Sequence, residues 1–120
     1  MKIYWVSRHE PLPAQVRELE RLFGPGVEVQ QDPRPFSNAE EIAARVKAAR
    51  ADEVVVVAPL SVIQRLTELG IRPLWAEMEA IPPEGKLDPE WEVDAPGGRR
   101  YRFRRFRRIV GVKIEYEELE

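Results

Sequence analysis

Val54-Val55-Val56-Val57-Ala58 is the stretch on which the fold turns. A strand with one wet face alternates apolar and polar residues, and four consecutive valines followed by alanine do not alternate. Such a run reads as a short strand covered on both faces, the position of an inner strand in a parallel sheet. Parallel neighbours need crossover connections, so helices are expected on either side of it in sequence.

Both flanks supply them. Upstream, Ser37-Asn38-Ala39-Glu40-Glu41 offers two overlapping capping boxes, Ser37 with Glu40 and Asn38 with Glu41. The helix behind them is predicted to reach Ala51, burying Ile42, Val46 and Ala49, with Glu41 and Arg45 as a favourable pair four residues apart. Downstream, Pro59-Leu60-Ser61 opens a short helix ending at Gly70 with Val62, Ile63, Leu66 and Leu69 on its apolar side. A further strand is expected within Leu74 to Ile81.

Further out, Lys2 to Val6 is β-prone, and the prolines at 11 and 13 end it. Pro13 suits the first turn of a helix that carries Val16, Leu19, Leu22 and Phe23 as its stripe and stops at Gly24. Val27 to Gln31 is a short strand, and Asp32-Pro33-Arg34-Pro35-Phe36 is a loop that its prolines hold extended. Strand and helix alternating with short links predicts a single α/β domain over residues 1–120. Its core over 1–81 is expected to be a small Rossmann-like, doubly wound parallel sheet in the order 2-1-3-4.

Residues 82–120 change character and form an extension. Trp91 to Asp94 and Arg99 to Arg105, joined across Ala95-Pro96-Gly97-Gly98, predict an antiparallel hairpin. A type I turn led by Pro96, with Gly98 left-handed, pairs Val93 with Tyr101 and Trp91 with Phe103. It also sets Asp94 against Arg100 and Glu92 against Arg102, so both faces agree on one register. Apolar parity flips after Phe103, which places a bulge near Arg104-Arg105. Phe106, Val110, Val112, Ile114 and Tyr116 then read as one face of a last edge strand antiparallel to residues 74–81.

Charge is unevenly spread. The net charge is −2, yet residues 1–98 carry −6, residues 99–113 carry +8, and the last seven carry −4. Fifteen arginines against four lysines, eleven prolines and a single asparagine resemble a thermophilic composition, as a GC-rich genome also would. The absence of cysteine excludes disulfides, thiolate metal sites and a cysteine nucleophile. No apolar run approaches membrane length, and a cytoplasmic location is expected.

In an open α/β sheet, ligands gather beyond the carboxyl ends of the strands where strand order reverses. Here that position collects Ser7, Arg8 and His9 after the first strand and Ser61 after the third, with Ser37 and Asn38 contributed by the second loop. A guanidinium, an imidazole and hydroxyls beside a helix N-terminus suit an anionic small molecule or nucleotide. The same Ser37, Asn38 and Ser61 are also the residue types that cap helices. A small hydrolase or transferase using His9 as general acid or base is an alternative at the same place. No G-x-G-x-x-G or Walker lysine is present, and with one histidine no metal or other cofactor is expected. A second alternative is nucleic-acid binding through Arg104, Arg105, Arg107 and Arg108, which interleave with aromatics on a β-surface. The same arginines could equally pair with the acidic first half or with a second subunit of a homo-oligomer. Glu77 and Glu79 are expected either on the solvent side of their strand or paired to Arg72 or to arginines of the last strand.

Overall fold

The computed structural model describes residues 1–119. Its elements are β1 (Lys2–Val6), α1 (Pro13–Phe23), β2 (Glu28–Asp32), α2 (Ala39–Ala48), β3 (Glu53–Val56), α3 (Leu60–Glu68), β4 (Leu74–Ile81), β5 (Glu92–Ala95) and β6 (Arg99–Arg108). The six strands form one mixed sheet in the order β2-β1-β3-β4-β6-β5. Three helices cover it.

The valine run behaves as an inner strand must. Val54, Val55 and Val56 are all buried, because β3 lies between β1 and β4 with side chains entering a core on each face. Val54 and Val56 join Tyr4, Val6, Ile42, Ile63 and Leu66 beneath α2 and α3. Val55 joins Ile3, Trp5, Leu19 and Leu74 on the α1 side. The strand is shorter than its composition suggests. It ends at Val56, and Val57 is 66% exposed.

β1 pairs in parallel with β2 and with β3, but β3 meets β4 through the single pair Val55–Leu74. On its other edge β4 pairs with β6, antiparallel along its whole length. The expected four-stranded parallel unit is therefore corrected in detail: β4 joins it through one parallel pair only, and its main partner is the antiparallel β6. A short β3 has no backbone left to offer beyond Val56.

The hairpin register matches its side-chain logic, with Glu92 opposite Arg102, Val93 opposite Tyr101 and Asp94 opposite Arg100. Trp91 stacks on Phe103 with ring centroids 6.3 Å apart, and the Phe103 N–H donates to the Trp91 carbonyl at 2.8 Å. The turn differs from expectation. Gly97 and Gly98 both have positive φ, at 82° and 70°, and a left-handed second residue after Pro96 is the type II rather than the type I arrangement.

The bulge falls where the parity flips. Phe103 faces Met78 and Arg105 faces Glu77, which leaves Arg104 as the extra residue. That extra residue returns Phe106 to the buried side, where its ring lies 5.1 Å from Phe103 and edge-on to Trp5 at 6.2 Å. One consequence overturns the expected last strand. β6 itself occupies the place beside β4, so residues 110–116 form no strand and β5 is the sheet edge.

Two helix details also differ. Along α1, Ala14, Gln15 and Leu19 are buried while Leu22 is 44% exposed, which rotates the buried stripe away from the expected one. Gln15 tolerates burial because its Oε1 accepts from the Leu12 N–H at 2.8 Å and closes the start of the helix. Ser61 does not cap α3. The cap position is Pro59, and Ser61 lies inside the first turn. Among the described residues no helix is long and apolar enough to cross a membrane.

Candidate functional site

The strand ends of the parallel half converge on a cleft of about 370 Å³ lined by Ser7, Arg8, His9, Asp32, Arg34, Phe36 and Val57, with Pro33 and Pro35 in its wall. Ser7, Arg8 and His9 leave β1 directly, and their backbone is pinned from two sides. The buried Trp5 indole donates to the His9 carbonyl at 2.9 Å, and Gln31 of β2 donates to the Ser7 carbonyl at 3.2 Å. The Ser7 hydroxyl accepts from the His9 N–H at 3.1 Å, closing a small turn. The backbone is held while the Arg8 and His9 side chains stay in solvent.

The second wall is built around Asp32. This carboxylate ends β2 and is 4% exposed. Arg34 binds it in a fork, Nε to Oδ1 at 2.8 Å and Nη2 to Oδ2 at 2.7 Å, while the Arg34 N–H donates to Oδ1 at 3.0 Å. The Tyr4 hydroxyl donates to Oδ2 from the middle of β1, and Arg45 of α2 stands 3.7 Å away. Arg45 also donates to the Pro35 carbonyl at 2.7 Å, which fixes the loop to the helix behind it. The Arg34 guanidinium, aided by hydrogen bonds from Tyr4 and the Arg34 backbone and opposed by burial, holds the Asp32 carboxyl far below the usual carboxylate range. Burial, reinforced by the adjacent carboxylate, pushes the Tyr4 hydroxyl upward.

The electrostatic outcome is a cleft whose one buried acid is already neutralised. Arg34 answers Asp32, and among the described residues Arg8 has no carboxylate partner and the His9 ring makes no hydrogen bond. Phe36 supplies an apolar wall, since it packs partly against the core beneath α2. His9 also borders a second recess of about 340 Å³ beside Leu87, Pro89, Val93 and Pro96 of the extension.

Three expected site residues stand apart from this cleft. Asn38 caps α2, its Oδ1 accepting from the Glu41 N–H at 2.9 Å, and the Ser37 N–H donates to the Glu41 carboxylate at 2.9 Å. Ser61 is exposed on α3 and does not line the cleft. Asp32, Arg34 and Phe36 were not among the expected site residues. The signal for them was local: an Asp at a strand end with an Arg two residues on is the pattern of an Asx turn closed by its own ion pair.

The arginines of β6 are matched to carboxylates almost one by one. Arg100 meets Asp94 at 2.8 Å and Arg102 meets Glu92 at 2.9 Å. Arg104 binds Glu79, while Arg107 binds Glu77, which also lies 3.7 Å from Arg105. Arg108 meets Glu53 of β3 at 2.9 Å. The acids at 77 and 79 are thus paired rather than free. No group of three His, Asp or Glu that could hold a metal ion occurs among the described residues.

No protein-family model, curated protein or solved structure matches this chain.

Proposed function

We propose that the chain is a binding module for a small anionic molecule, a phosphate-bearing compound or nucleotide, held at the carboxyl ends of β1 and β2. The proposal treats the β2-β1-β3-β4 portion as a Rossmann-like unit that uses its strand ends for recognition. The observation that carries it is that, among the described residues, Arg8 beside His9 has no carboxylate partner, in a cleft whose one buried carboxylate is answered by Arg34. Arg8 supplies a fork of donors that suits phosphate oxygens, and His9 adds a further donor when protonated. Arg34 presents the remaining edge of its guanidinium to the same space, and Phe36 offers a surface for a flat ring.

Binding is favoured over catalysis by His9. A general acid or base needs a partner that orients its ring, and among the described residues none hydrogen-bonds to the His9 imidazole, whose residue bonds only through its backbone. The test is calorimetric titration with pyrophosphate and with a nucleoside diphosphate. Loss of one charge-assisted fork in Arg8→Ala is expected to weaken binding about tenfold or more. Ser37→Ala, outside the cleft, leaves binding unchanged. Absence of binding by the unaltered protein, or equal binding by Arg8→Ala, overturns the proposal.

A further inference from the structure

On the other side of β3 the sheet has a notch. β3 stops at Val56, and β4 continues to Ile81 with no strand beside it there. Among the described residues, the backbone groups of Trp75–Ile81 that do not face β6 have no hydrogen-bonding partner. An open row of N–H and C=O groups is a template for one more strand. The notch is floored by an apolar groove of about 580 Å³, in which Val57, Leu60 and Trp75 are exposed to 66%, 69% and 46%.

A strand-forming sequence without a strand lies next to it. Val110, Val112, Ile114 and Tyr116 alternate with small or charged residues at the period of two that a half-buried strand requires. The root of this tail is seated in the groove: the Ile109 N–H donates to the Pro73 carbonyl at 2.9 Å, and Ile109 and Val112 line the cavity. Past Val112 the apolar side chains are left in solvent, Ile114 at 62% and Tyr116 at 81%.

We infer that the Lys113–Leu119 segment of a second copy of this chain adds to the free edge of β4, and reciprocally, giving a two-fold dimer by tail exchange. The tail enters its own groove at the amino end of β4, so along its own β4 it would run parallel. A tail arriving from a two-fold-related copy can run antiparallel, the better hydrogen-bonded arrangement. Its Ile114 and Tyr116 then cover Val57, Leu60 and Trp75.

The test compares the full chain with Ile114→Pro by sedimentation velocity over low to high micromolar concentration. Ile114 is exposed and its N–H has no backbone partner among the described residues, so proline there leaves the monomer fold intact, checked by circular dichroism. The expected result is a species of twice the chain mass for the unaltered protein and of the chain mass for Ile114→Pro. Hydrogen exchange supplies the location. Amides of Trp75–Ile81 that point away from β6 are protected in the dimer and exchange freely in Ile114→Pro. A monomer throughout, a dimer that survives Ile114→Pro, or equal exchange of the β4 edge in both proteins overturns the inference.

Discussion

Asp32 owes its state to geometry more than to its type. A carboxylate with so little water around it must be answered by donors, and it receives a guanidinium fork, a phenol and a backbone N–H at once. Replacing it with Asn keeps the shape but withdraws the charge, leaving Arg34 and Arg45 facing a neutral amide. Because Arg34 reaches solvent, the expected cost is that of weakened buried hydrogen bonds, about 1–3 kcal/mol, read by urea unfolding at neutral pH. The pH dependence has a definite sign. The folded-state pKa of Asp32 is depressed, so its contribution is fully present above the ordinary aspartate pKa of about 4. That contribution is lost as the pH falls below that value towards the folded-state pKa. Thermal melts of the unaltered protein should therefore steepen in their decline over that acid window relative to Asp32→Asn. Parallel declines would show that the charge on Asp32 contributes nothing to stability.

Among the elements, β6 does the most to shape the sheet. It pairs with β4 on one side and β5 on the other, and its bulge at Arg104 lets both Phe103 and Phe106 face inward. Phe103 is 2% exposed and touches both Trp91 and Phe106, so Phe103→Ala opens a cavity under the hairpin. The expected loss is about 3–5 kcal/mol, measured by chemical unfolding, while Phe36→Ala at the cleft wall costs less because that ring is only partly covered. Much of this was legible beforehand. Side-chain pairing chose the hairpin register, because Asp94 against Arg100 and Tyr101 against Val93 satisfy charge and burial together. The parity flip located the bulge. What could not be read was where the flip sends the chain. A bulge restores β6 to the core side, so one strand does the work that the pattern divides between a hairpin arm and a separate edge strand. The cleft was half legible for a related reason. Ser7, Arg8 and His9 follow from strand topology alone, whereas for Asp32 only the pairing with Arg34 is local, and its burial depends on Tyr4 and Arg45, distant in sequence, closing around it. Ser61 was misplaced by two residues, since Pro59 rather than a hydroxyl takes the cap position of α3.

At the scale of the whole molecule, the charge blocks separated in sequence are interleaved in space. The basic block lies on β6, and its neighbours β4 and β5 bring Glu77, Glu79, Glu92 and Asp94 alongside it, while Glu53 of β3 reaches Arg108. A polyanion approaching this surface must displace carboxylates that are already within hydrogen-bonding distance, so it gains the difference between two similar attractions. Exposed ion pairs of this kind are individually worth little, but they remove the uncompensated positive field on which counterion release depends. Repulsion from the acidic remainder of the chain adds to the barrier, because the net charge is −2 rather than strongly positive. A random single-stranded oligonucleotide is therefore expected to show no mobility shift with this protein even at low salt. The control is Glu77→Gln/Glu79→Gln, which frees Arg104 and Arg107 without touching the cleft at Arg8. Binding that appears only in this variant, and fades as salt is raised, is the expected outcome if the carboxylates cancel the arginine field. Salt-sensitive binding by the unaltered protein, lost in an Arg105→Ala/Arg107→Ala/Arg108→Ala variant, would instead make the β6 face a nucleic-acid surface.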